Sequence, residues 1–173
     1  GSYEYGLPRP DSAATNVLWA SVWSLDTWGE YLVACMEGDG VIYEWPLDTI
    51  APIAAVAVAN APTNCAGVIV SEERILFAFG ADGNDRQIDW SDQENNTLWT
   101  PASTNQAGSQ LLQTNGRIVG ACRVNGGTLF VTDVDAHQAV YTGAPFIFRF
   151  DRIGTSCGLI SRGALAQVEN VAK

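Results

Sequence analysis

Short apolar runs, each a strand's length, recur along this chain between polar turns. Three of them open the same three-part pattern. The first is an apolar run over 30–36, an acidic glycine turn and a second run over 41–45. The second has runs over 74–79 and 86–90 around Asp82, Gly83 and Asn84. The third has runs over 117–122 and 128–132 around Asn125, Gly126 and Gly127. Leu32, Leu76 and Ile118 take equivalent places, about 44 and 42 residues apart. Trp45 and Trp90 repeat at about 45. A hairpin-based period of roughly 40–50 residues is the sequence mark of β-propeller blades.

The pattern predicts an all-β fold of antiparallel, propeller-like blades. Strands are expected near 19–25, 30–36, 41–45, 53–58, 67–70, 74–79, 86–90, 108–113, 117–123, 128–132, 138–142 and 146–150. Asn115-Gly116, between apolar runs, predicts a two-residue hairpin across 110–120, because both turn positions favour positive φ. A short helical turn is expected from Asp92 to Thr97, and a further strand from Ala164. Residues 1–16 read as an extended lead-in and 17–173 as one domain. At about four strands per blade the chain supplies about three to four blades, and rings take about four to eight. It therefore reads as part of a larger ring, completed by further polypeptide or by copies of itself.

Composition narrows the function. The net charge is −10, from 9 Lys and Arg against 19 Asp and Glu. That excludes a general nucleic-acid gripper, which needs a basic face to neutralise phosphates. It fits a solubilising surface, or a wall past which DNA slides without sticking. The longest apolar run, 50–59, is interrupted by Pro52 and too short to span a bilayer. No signal-peptide pattern opens the sequence. Cys35, Cys65, Cys122 and Cys157 lack metal or redox spacing. Cys35 and Cys122 fall at matching points of two copies, so reduced, mostly buried thiols are expected.

Candidate chemistry is sparse. His137, the sole histidine, follows Asp133 and Asp135, but no nucleophile elbow accompanies it. An exposed structural role is expected. Asp82, Asn84 and Asp85, with Asp89 and Asp92, carry oxygen ligands but not calcium-loop spacing, and read as turn chemistry. A distant carboxylate pair for glycoside hydrolysis has nothing to mark it. Trp19, Trp23, Trp28, Trp45, Trp90 and Trp99, with Tyr31 and Tyr43, suit either a sugar-binding surface or packing between blades. The repeat of Trp45 and Trp90 favours packing. No catalytic, cofactor or metal residue is assigned.

Four stretches resemble virion proteins of short-tailed bacteriophages: 23–34; 89–94 with 98–101; 126–133; and 154–160. The likeness runs from about Trp19 to Ile160. It implies a tail-tube, nozzle or DNA-stabilisation component without an enzymatic role. It implies other tail subunits as partners, homo-oligomerisation around the tail axis, DNA passage without tight binding, and a place in the virion. The alternative is a propeller-type binding module for a glycan or protein ligand.

Overall fold

The computed structural model describes residues 22–47 and 54–166. The lead-in over 1–16 lies outside them, as do residue 53 of the fourth expected strand and the chain beyond 166.

The described chain is all-β. Twelve strands form three sheets in chain order, each an antiparallel four-stranded meander. The first holds β1 (Trp23–Trp28), β2 (Tyr31–Met36), β3 (Ile42–Trp45) and β4 (Val56–Ala57). The second holds β5 (Gly67–Val70), β6 (Leu76–Phe79), β7 (Gln87–Trp90) and β8 (Gly108–Leu111). The third holds β9 (Ile118–Val124), β10 (Gly127–Thr132), β11 (Asp135–Gly143) and β12 (Ile147–Thr155). Each sheet is ordered as the chain runs, because short turns return every strand beside its predecessor.

Strand alternation explains how the sheets stack. Side chains of a strand point alternately to its two faces. Val33, Cys35 and Ile42 of the first sheet pack on Val68, Val70, Leu76 and Ala78 of the second. The other face of the second sheet, with Phe77, Phe79, Ile88 and Trp90, packs on Phe130, Ala139 and Phe148 of the third. The second sheet is therefore buried on both faces, which is why β5 and β6 are buried throughout and read as unbroken apolar runs. Phe77, fully buried, meets Phe130 and Phe148 at centroid distances of 5.3 and 4.7 Å. Burying each such ring is worth about 3 kcal/mol.

The junctions have a direction. Cys35 pairs with Ile42 as Phe79 pairs with Ile88, so Val33 corresponds to Phe77 and Leu32 to Leu76. The forward face of the first sheet meets the backward face of the second. The forward face of the second then meets the third.

Several expectations are corrected. Ile118 lies on the first strand of its sheet, whereas Leu32 and Leu76 lie on second strands, so the third copy is one strand out of phase. Cys122 on β9 and Cys35 on β2 are likewise not equivalent. Trp45 and Trp90 share a third-strand place but face opposite ways. Trp45 pairs with Leu32 on the backward face and Trp90 with Phe77 on the forward face. Two residues separate Ile42 from Trp45 and one separates Ile88 from Trp90, and a one-residue slip reverses the face.

Asn115-Gly116 makes no hairpin. Strand β8 pairs with β7 and β9 with β10, so this dipeptide crosses between sheets. Gly116 is required there by crowding: a Cβ would lie 2.3 Å from Asp133 Oδ1 and 2.6 Å from Val134 Cγ2. The two-residue hairpin lies instead at Asn125-Gly126, where Val124 pairs with Gly127 and Gly126 has φ +84°. Residues 92–97 form turns around an Asp92–Asn95 bridge, not a helical turn. Ala164 ends the 3-10 turn Arg162–Ala164 instead of opening a strand. Strand β1 runs on to Trp28, and β11 and β12 reach nine residues each, longer than their apolar cores predict.

Candidate functional site

Two features stand apart from routine packing: the centre where the first strands meet, and the apolar backward face of the first sheet.

Strands β1, β5 and β9 gather around a cavity of about 270 Å³. Ser24 Oγ donates to the Val68 carbonyl at 2.6 Å and accepts the Val68 N–H at 3.0 Å. Asp26 Oδ2 accepts the Val70 N–H at 2.8 Å and one N–H of Arg123 Nη1 at 3.1 Å. Arg123 also donates to the Val70 carbonyl at 3.2 Å. Each sheet thus contributes to one knot. Arg162 closes the cavity from the C-terminal side. Its Nε donates to the Val119 carbonyl at 3.1 Å, its Nη2 donates to the Ala66 carbonyl, and Glu37 lies 3.9 Å away. The guanidinium also lies over the Phe79 ring, 5.6 Å from its centroid. The centre holds Arg123 and Arg162 against Asp26, so it is not an acidic wall. It is also far too small to admit a DNA duplex.

The backward face of the first sheet is apolar, exposed at its inner edge and half-buried in its middle. Leu32, Ala34, Tyr43 and Trp45 form its middle, and Trp23 and Leu25 its inner edge, around a groove of about 420 Å³. Trp23 is 49% exposed and Leu25 59%. The corresponding face of the second sheet is buried: Leu76 and Ala78 are at 0%. Expected aromatic positions therefore divide. Trp28, Trp90 and Trp99 are buried in packing, Tyr31 is exposed, and Trp23, Tyr43 and Trp45 lie on the backward face, the last two half-buried. Trp19 lies outside the described residues.

The expected acidic clusters do not converge. Asp82 Oδ1 accepts the Thr63 N–H at 3.1 Å, and Asn84 Oδ1 accepts the Arg86 N–H at 3.2 Å. Asp92 Oδ1 accepts the Gln106 N–H at 2.7 Å. Asp89 accepts from Gln87 at 2.6 Å, and burial holds its pKa above the ordinary carboxylate range despite that bond. Asp133 accepts the Arg117 N–H at 3.0 Å. Asp85, whose carbonyl accepts the Ile118 N–H at 2.8 Å, completes a local turn role. Among the described residues no three of these side chains group as a metal site.

His137 is buried, not exposed. It is the third residue of β11, and its Nε2 lies 3.2 Å from Asp135 Oδ1. The same oxygen accepts the hydroxyls of Thr132 at 2.6 Å and Thr114 at 2.9 Å. Burial would raise the Asp135 pKa, but these hydrogen bonds from Thr132, Thr114 and His137 outweigh it and hold the pKa below the ordinary range. Both hydroxyls are committed to the carboxylate, so the cluster is a structural brace. Nothing in the sequence pattern announced it, because Thr114 belongs to a different sheet-to-sheet segment from the other three.

Cys35 and Cys65 are buried, Cys122 is half-buried and Cys157 exposed, all as free thiols. Burial raises the pKa of Cys35 to about 11 and of Cys65 to about 12. Among the described residues no helix is long and apolar enough to cross a membrane.

No protein-family model matches the sequence, and no curated protein matches it.

Proposed function

We propose that this chain is a non-enzymatic structural module of a bacteriophage tail, built as three consecutive blades of a β-propeller-like ring. The observation that carries the reading is the forward-on-backward stacking of three meander sheets with their first strands gathered at one centre. Repetition of one junction turns successive sheets about an axis, as blades are turned in a propeller. Ser24, Asp26 and Arg123 at the centre, and Thr114, Thr132 and Asp135 in the Asp135 cluster, are hydrogen-bonded within the protein, which suits a part that holds shape. The four stretches that resemble short-tailed phage virion proteins supply the tail assignment. Partners are then other tail subunits and further copies of the chain, in the virion. Its −10 charge suits a surface past which DNA moves without being held.

The test is immunogold labelling of phage particles purified from the culture that encodes the chain. Antibodies raised against it should mark tails. Particles left unmarked, with the antigen found only in the particle-free fraction, overturn the assignment.

A further inference from the structure

We infer that residues 160–166 are a latch over the central cavity, held shut by Arg162, which opens and closes while the three sheets stay folded. Opening bares the cavity wall around Gly120 and Cys122. The latch stands or falls independently of the tail assignment.

The attachment of the chain to the sheets changes character at Leu159. Up to that residue the backbone is bonded to the third sheet and its turns. The Cys157 N–H donates to the Val134 carbonyl at 3.2 Å, and the Leu159 N–H to the Thr132 carbonyl at 2.8 Å. Gly158 is pressed so close to Asp133 that a Cβ there would lie 1.7 Å from the Asp133 carbonyl oxygen. Beyond this anchor, among the described residues, no backbone hydrogen bond ties 160–166 to a sheet. The N–H groups of Ala164 and Leu165 donate only to the carbonyls of Ser161 and Arg162. Ile160 is 92% exposed, and Ser161, Gly163, Ala164 and Ala166 also face solvent. Two side chains of the latch reach inward. Arg162 and Leu165 line the cavity, and both lie within 4 Å of where a Cβ on Gly120 would sit. A segment with so few buried contacts and no backbone ladder opens locally, at less cost than global unfolding. It gives up no strand pairing in doing so, because 160–166 belong to no sheet.

Arg162 is the bolt, because its side chain reaches all three sheets. It donates to the Val119 carbonyl of the third sheet and to the Ala66 carbonyl at the start of the second. It lies over the Phe79 ring of the second and 3.9 Å from Glu37, which follows β2 of the first. Closure also carries a cost. Arg162 Nη1 is buried without a hydrogen-bond partner. A buried unpaired donor is penalised, and opening returns it to water. The bonds at Nε and Nη2 thus favour the shut form and the stranded Nη1 favours the open one, which draws the two forms together in free energy.

Limited proteolysis of the wild type tests the latch. Trypsin cuts after an arginine once that side chain leaves its contacts, so the rate follows the population of the opened form. Arg123 is the internal standard: it borders the same cavity but lies within β9, and is freed only when the third sheet unfolds. Under native conditions the cut after Arg162 should be about tenfold or more faster than the cut after Arg123, read by mass spectrometry at early times. Equal rates at the two sites mean that the segment leaves only when the chain unfolds, and overturn the latch. Cys122, half-buried in the cavity wall, gives a second readout. Arg162→Ala should speed its alkylation about tenfold or more and leave buried Cys35 and Cys65 at their wild-type rates. An unchanged Cys122 rate also overturns the latch. If Cys35 and Cys65 speed up equally, the variant is unfolding as a whole, and the wild-type protease ratio decides.

Discussion

Arg123, on the first strand of the third sheet, reaches Asp26, on the first strand of the first, at 3.1 Å. The second sheet lies between them and joins the contact through the Val70 N–H and carbonyl. Asp26 is only 10% exposed in its side chain. Removing one partner of such a pair leaves the other, and a backbone N–H, poorly satisfied. Asp26→Ala should cost about 2 kcal/mol. For a chain of this size that lowers Tm by about 4–8 °C. Thermal melting followed by circular dichroism reads it, and a Tm within a degree of wild type would show the knot to be idle.

Asp135 makes stability depend on acid. Its folded pKa is held below the unfolded value, so the contribution is complete above the unfolded value, near 3.9, and is lost as pH falls through the folded pKa. The wild type should lose stability below about pH 5 in part through this group. Asp135→Asn should be less stable at pH 7 yet show a flatter decline over the acid range. Urea midpoints measured at intervals from pH 7 to pH 3 test it. Parallel curves for the two proteins would remove Asp135 from the acid response.

The thiols should react in order of exposure. Cys157 is exposed and should label first, then half-buried Cys122. Cys35 and Cys65, buried and with pKa values pushed up to about 11 and about 12, present almost no thiolate at neutral pH. They should label only when the chain unfolds. Mass spectrometry of timed alkylation reads the order, and early labelling of Cys65 contradicts it.

The repeat made the strand content legible because apolar runs and glycine turns are local signals. Direction was not legible. Whether Trp45 faces forward or backward depends on one residue in the spacing from Ile42. Asn115-Gly116 carries a hairpin's composition, yet Gly116 is there to let Thr132, Asp133 and Val134 approach closely, a contact no local pattern encodes. The Asp135 brace was hidden for the same reason: Thr114 reaches it across 21 residues. Gly116→Ala should therefore destabilise by about 2 kcal/mol through this crowding. At Gly38, where a Cβ would meet nothing within 4 Å but φ is +100°, the cost of Ala is backbone strain alone, about 1 kcal/mol. Chemical denaturation of the two variants separates these sites, and a smaller loss at Gly116 than at Gly38 would reverse their ranking.

DNA contact gives the prediction closest to function. A duplex is held by cations free to meet phosphates, and each contact adds to the salt dependence of binding. This chain has 9 Lys and Arg against 19 acids. Its most central cations are occupied: Arg123 with Asp26 and the Val70 carbonyl, and Arg162 with the carbonyls of Val119 and Ala66. Arg74 pairs with Glu94 at 3.0 Å and Arg149 with Asp151 at 2.7 Å. A phosphate would have to displace these partners and approach a surface of net charge −10. Double-stranded DNA should therefore show no measurable binding at physiological salt by fluorescence anisotropy. Freeing cations should change that in a defined way. Glu94→Gln with Asp151→Asn raises the net charge by two and releases Arg74 and Arg149, so weak binding should emerge only at low salt. Tight wild-type binding that weakens steeply with salt would mean that the chain grips DNA, and the sliding-surface role would fall.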